Sequence, residues 1–147
     1  MFEPKSGALK LLLAYWRQKK GDRVAPRRAD IDPAEIKSLL PHLGMVDVQR
    51  APLRFRYRLV GTEVSRGYGL DLTGCYLDEM DLDDHQIEII QDYARAAESG
   101  EPSCSTLEYS RKDGRHIRYE RLVLPLSSDG RQVDMLIGGC VFESAYG

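Results

Sequence analysis

Residues 132–143 read Gln-Val-Asp-Met-Leu-Ile-Gly-Gly-Cys-Val-Phe-Glu. Side chains alternate along a strand, which puts Val133, Met135, Ile137 and Val141 on one face and Leu136, Cys140 and Phe142 on the other. A strand that is apolar on both faces needs a cover on each, and so belongs in the interior of its sheet. That requirement organises the rest of the chain. Two long strand candidates precede it, at about 103–111 and 115–126. Asp113-Gly114 makes the turn between them, and Ser127 to Arg131, with Asp129-Gly130, makes the turn into 132–143. Further upstream, 43–49 and 54–60 flank Arg50-Ala51-Pro52-Leu53 and read as a hairpin. In 54–60, Phe55, Tyr57 and Leu59 alternate with Arg54, Arg56 and Arg58, so one face is cationic and suits a sheet edge. The expectation is an α+β chain with a five-stranded antiparallel sheet.

Between the second and third strands lie a short helix at about 62–68, the loop Gly69-Leu70-Asp71-Leu72-Thr73-Gly74, and a longer helix from about Leu82 to Ser99. Ile87, Ile90, Tyr93, Ala94 and Ala97 form the expected buried side of the longer helix, which would cover one face of the sheet. The other face has one apolar element left to cover it. Ser6 caps a helix in which Leu9, Leu12, Leu13 and Trp16 fall at i, i+3, i+4 and i+7, and Lys19 and Lys20 suit its C-terminal dipole before Gly21. The chain divides on this reading into an amphipathic helix at 1–21 and a domain at 22–147. The stripe can dock on its own sheet or on a second copy. We expect a homodimer to which Leu9, Leu12, Leu13 and Trp16 contribute. Residues 21–30 read as a linker. Asp32-Pro33-Ala34-Glu35 then opens a short helix, with Asp32 as cap and Glu35 closing a capping box, which ends before Pro41.

The 147 residues carry a formal net charge of −2, with 42% hydrophobic and 30% charged residues. That composition belongs to one globular domain and does not supply the basic field that nucleic-acid binding needs. The early apolar run Ala8 to Trp16 is interrupted by Lys10, is too short to cross a membrane, and lacks a small-residue cleavage site. Cys75, Cys104 and Cys140 are far apart and form no C-x-x-C pair, which argues against a disulfide framework or a cysteine zinc site. A cytoplasmic protein that binds neither membrane nor nucleic acid is expected.

Several short segments carry a family resemblance. Trp16-Arg17, Arg28-Ala29-Asp30-Ile31-Asp32-Pro33, Leu40-Pro41, Asp47-Val48, Arg56-Tyr57-Arg58-Leu59-Val60-Gly61-Thr62 and Gly69 to Gly74 together resemble PAS_5, a family of small single-domain PAS proteins of alphaproteobacteria. The order of two strands, a helical middle and three strands is likewise similar to that of a PAS domain. The resemblance implies a PAS fold with helices on one face of the sheet and the N-terminal helix on the other. It also implies a stand-alone sensor or adaptor in bacterial signalling, which binds a small molecule between sheet and helices or docks a partner protein. Tyr57, Leu59, Leu72, Tyr93, Ile117 and Tyr119 are the candidate cavity residues, chosen for inward facing and for aromatic or apolar character.

No catalytic or metal-binding set emerges, and an enzyme is not expected. His42, His85 and His116 are scattered, and His85 sits beside Asp83 and Asp84 in the first turn of its helix, where solvent is expected. Haem is therefore not expected. Cys75 lacks the Asn-Cys-Arg context of a flavin photoadduct, so flavin is not expected either. Asp78, Glu79, Asp81, Asp83 and Asp84 lack EF-hand spacing and suit a helix N-terminus. Arg54, Arg56, Arg58, Arg115, Arg118 and Arg121 read as a solvated charged surface, with Glu108, Glu120 and Glu143 as cross-strand partners. Two alternatives stand beside the sensor: an interaction module with a filled core, and a small NTF2-like enzyme with a polar pair in its pocket.

Overall fold

Strand β5 (Met135–Phe142) lies between β1 (Leu43–Gln49) and β4 (His116–Leu126) in a computed structural model that describes residues 3–143. The strand order is β2-β1-β5-β4-β3, with β2 at Arg54–Val60 and β3 at Ser103–Ser110, and all neighbours are antiparallel. The two-faced strand is interior, as its composition requires. It begins three residues later than expected. Val133 precedes the strand and packs with the helix-side core, away from Met135 and Ile137 on the opposite face.

Helix α1 (Gly7–Lys20) covers the outer face, while α2 (Thr62–Tyr68) and α3 (Asp84–Ser99) cover the inner one. Gly138-Gly139 lets both layers close in. A Cβ on Gly139 would lie 2.8 Å from Leu9 and Leu12 methyls, and one on Gly138 would lie 3.0 Å from the Tyr93 hydroxyl. The Ser6 hydroxyl accepts from the Leu9 amide at 3.2 Å, and Trp16 Nε1 donates to the Pro125 carbonyl at 2.7 Å. Leu9, Leu12 and Leu13 are 1% exposed and Trp16 is 3% exposed within a single copy. The stripe thus docks on its own sheet, the first of the two placements open to it. The chain's own sheet already removes their apolar surface from water, and a second copy reaches them only if α1 undocks.

Four local expectations also change. The segment Pro33–His42 is a 3-10 helix that runs through Pro41, with a non-helical break at Ile36 that leaves two short turns and no continuous helix for the proline to interrupt. Asp32 caps the Ala34 amide at 3.0 Å, but Glu35 turns to the Tyr15 hydroxyl at 2.8 Å and Lys19 at 3.0 Å and leaves the capping box open. Helix α3 buries Gln86, Ile89, Asp92, Tyr93, Ala96 and Ala97, while Ile87 is exposed and Ile90 and Ala94 are half-buried. Its buried face is rotated by about one residue because Gln86 and Asp92 have partners inside. In β2 the register with β1 slips between Met45 and Val46, so Arg58 is the extra residue and Leu59 turns to the outer face.

Strand β2 is an edge strand, but its edge is covered. The Tyr57 amide donates to Cys75 at 2.9 Å, and the Gly74 amide donates to Tyr57 at 2.7 Å. Arg54 pairs with Asp78 and Glu79 at 2.8 Å each and stacks on Tyr76, and Arg58 pairs with Asp47 at 3.0 Å. The partners thus come mainly from the acidic segment ahead of α3. Among the expected glutamates, Glu108 and Glu143 meet Arg118, whereas Glu120 accepts from the Lys5 and Ser6 amides.

Candidate functional site

Helices α2 and α3 do not seal the inner face of the sheet completely. A cavity of about 480 Å³ opens between them, the 69–72 loop and the β3–β4 hairpin. Its apolar wall includes Tyr57, Tyr68, Leu72, Met80, Ile89 and Tyr109. At the rim, Arg111 pairs with Asp113 at 2.5 Å, Lys112 pairs with Asp81, and Asp83 caps α3 through the Gln86 amide at 2.8 Å. The rim charges are thus largely neutralised by one another.

Two of the six expected cavity residues, Tyr57 and Leu72, line this space. Tyr93 and Tyr119 stand one layer deeper and are buried. Ile117 belongs to a neighbouring buried cluster with Val64, Leu107 and Cys140. Leu59 is on the other side of the sheet, 57% exposed, in an outer groove with Leu40 and Ile36. The bulge at Arg58 explains that displacement, since one inserted residue reverses the face of everything after it.

The deeper layer is polar. Arg121 was expected on the charged surface, yet its side chain is 0% exposed. It donates from Nη2 to Asp92 at 2.5 Å and from Nη1 to the Tyr119 oxygen at 2.9 Å, while its Nε has no partner among the described residues. Its guanidinium also lies 5.6 Å from the Tyr93 ring centre and 5.8 Å from that of Tyr119. Asp92 is shared with Arg95, which reaches the surface. Arginine stays charged when buried, so a fixed ion pair stands behind the cavity, with its guanidinium against Tyr119 and Tyr93.

His85 connects the two layers. Its ring stacks on Tyr109 with centres 3.9 Å apart and an interplanar angle of 3°, and Nε2 is 2.6 Å from the Tyr119 hydroxyl. This replaces the solvent-facing expectation. Burial lowers its pKa to about 4, the Arg121 charge adds to the shift, and Asp83 opposes it. The imidazole is therefore neutral near pH 7. Burial also raises Tyr57, Tyr68, Tyr109 and Tyr119, and pushes Tyr93 up to about 12, so the whole tyrosine set stays protonated.

His85, Tyr68, Tyr109, Ile89, Arg121 and Asp92 went unread as site residues. A usable signal existed for some of them. Ile117, Tyr119, Arg121 and Val123 share one strand face, and His85, Ile89, Asp92 and Ala96 share one helix face at spacings of 4, 3 and 4.

These features sit in a chain whose residues 4–141 match PAS_5, a PAS domain. The chain belongs to that family. The PAS sheet order, with β5 interior and a hairpin before the middle helices, sets aside the NTF2-like alternative. No curated protein matches it in sequence. Among solved structures, the LOV protein of Rhodobacter sphaeroides is similar at 14% identity and a TM-score of 0.55, covering 78% of this chain and 69% of that one. The PAS domain of a Colwellia psychrerythraea protein matches at 13% identity and a TM-score of 0.53, covering 76% of this chain and 95% of that one. The LOV domain of a blue-light activated histidine kinase from Erythrobacter litoralis matches at 18% identity and 0.50, covering 68% and 93%.

The residues present do not fit a flavin–thiol photoadduct, since none of the cysteines lines the cavity. Cys140 lies behind Tyr68, with the sulfur 4.0 Å from that hydroxyl, and burial lifts its thiol to about 11. Burial lifts Cys104 to about 11 as well. Among the described residues, no group of three or more His, Cys, Asp or Glu side chains is placed to hold a metal ion. No described helix is long and apolar enough to cross a membrane.

Proposed function

We propose that this PAS domain is a cytoplasmic, non-catalytic signalling sensor that takes a small, uncharged, largely aromatic or apolar molecule into the inner cavity. The observation that carries this reading is the cavity itself. It has an aromatic wall and a neutral histidine, and its rim charges are already paired. Ligand sites have this character: mostly apolar walls with a few placed polar groups. A filled-core interaction module would leave no such space. The three free thiols support a reducing compartment. A non-catalytic role is supported by Cys104, Cys140 and Tyr119, whose burial keeps them protonated.

Helix α3 is the proposed output element. It carries His85 at the cavity and Asp92 on the buried arginine, and Asp92 also meets the exposed Arg95. Occupancy of the cavity would be felt along that helix. The test is native mass spectrometry of protein purified from its own host, beside an Ile89→Trp variant that fills the cavity. A bound small molecule on the wild type that is absent from the folded variant is expected. Equal occupancy of both, or none on the wild type, would contradict the reading.

A further inference from the structure

We infer that the cavity selects a molecule that presents a hydrogen-bond acceptor to His85, because the buried arginine fixes that ring in its Nδ1–H form. The inference rests on the sensor reading and names the ligand chemistry of the same site. It follows from the donors gathered around the Tyr119 oxygen and from one short distance. Arginine has five N–H donors and no acceptor, so in the contact between Arg121 Nη1 and Tyr119 at 2.9 Å the tyrosine oxygen must accept. Tyr68 donates to the same oxygen at 3.3 Å. With both lone pairs engaged, the Tyr119 proton is left to point at His85.

The distance agrees. Nε2 and the Tyr119 oxygen are 2.6 Å apart. That separation belongs to an O–H donor, whereas N–H donors sit nearer 2.9–3.0 Å. Nε2 is therefore an acceptor. A neutral imidazole carries one proton, and burial beside the Arg121 charge keeps this ring neutral. The proton must then be on Nδ1, which makes no hydrogen bond among the described residues and is not one of the atoms sealed from solvent.

His85 thus offers the cavity one N–H donor. The ring cannot reverse its tautomer without turning the Tyr119 proton away from it towards Tyr68, which must then give up its own donation to Tyr119. The charged or titratable groups around the ring are Arg121 behind Tyr119, Asp83 at the helix cap two residues earlier, and the hydroxyls of Tyr68, Tyr109 and Tyr119. None of them competes as an acceptor for Nδ1. A carbonyl, ether or aza-aromatic nitrogen on a flat, uncharged body satisfies it. A purely hydrocarbon ligand leaves it unpaired when water is expelled, which carries a penalty.

The test has two arms. Two-bond proton–nitrogen spectra of the histidine-labelled full chain near pH 7, with His85 assigned by His85→Gln, report the tautomer directly. A pyrrole-type Nδ1 and a pyridine-type Nε2 are expected. In Tyr119→Phe, which lacks the donor, the ring should move towards Nε2–H. A wild type that carries Nε2–H overturns the inference and leaves the cavity reading standing. The second arm compares acetophenone with isopropylbenzene, which differ chiefly in the carbonyl. Acetophenone should bind about tenfold more tightly, in line with a hydrogen bond made in a desolvated site, and should shift the His85 Nδ1 signal. Equal affinities overturn the acceptor selectivity. Binding of neither overturns it as well, and counts against the sensor reading itself.

Discussion

His85 and Arg121 carry most of the chemistry at the scale of single residues, and both make stability predictions. The folded pKa of His85 is about 4, against about 6.5 for an unperturbed histidine. Between these values the unfolded chain binds the proton and the folded chain does not. Stability therefore falls as pH drops from about 6.5 to about 4, and the loss is complete below that window. The ring is partly exposed, so solvent screening reduces the effect to roughly 1–2 kcal/mol. Urea melts of wild type and His85→Gln at several pH values check this: the two curves should differ in slope only inside the window. The Arg121–Asp92 pair makes a sharper prediction. Asp92→Asn leaves a buried guanidinium without its counter-charge and should cost about 3–5 kcal/mol. Replacing both, as Asp92→Leu with Arg121→Met, should recover most of that loss, since an apolar pair of similar volume removes the desolvation cost. Denaturant midpoints of the three variants decide it. If the double variant is as unstable as the single one, the pair does more than neutralise itself.

At the scale of elements, α1 and β5 are locked together at Gly139. Leu12→Asp should therefore destabilise a single folded chain by about 4 kcal/mol or more, by burying an unpaired charge. The checks are a thermal melt and light scattering: the melting temperature drops steeply, and it does so at every protein concentration. A variant that keeps its stability and only changes its association would instead place this helix at an interface between copies. Gly139→Val places a side chain within 2.8 Å of the Leu9 and Leu12 methyls and should cost about 1–3 kcal/mol through overpacking. These elements were largely legible from residue patterns. Two-faced apolarity put β5 inside, and Asp-Gly turns located the β3–β4–β5 meander. What was not legible came from single-residue insertions and rotations. The bulge at Arg58 carried Leu59 to the outer face, and buried polar partners turned α3 away from Ile87 towards Gln86 and Asp92. Neither leaves a mark on apolar periodicity, because the first is an added residue and the second rewards polar side chains.

At the scale of the whole molecule, the PAS sheet separates two spaces. The outer side is occupied by α1 along most of its length, with a groove of about 510 Å³ remaining at Leu40 and Leu59. The inner side holds the cavity, and behind it the polar chain that runs from His85 through Tyr119 and Arg121 to Asp92 and Arg95. The fold and its family could be read from strand order and a few short segments. The cavity wall could be read only in part, because it is assembled from the 69–72 loop, α2, α3 and the β3–β4 hairpin, which are distant in sequence. The central claim is that the inner space receives the signal molecule. The most direct measurement is a backbone proton–nitrogen spectrum of protein stripped by unfolding and refolding, titrated with a small-molecule extract of its host. Shifts concentrated at Leu72, His85, Ile89 and Tyr109 and continuing along α3 to Arg95 are predicted. Shifts confined to the outer groove at Leu40 and Leu59, or no shifts at all, would contradict the account.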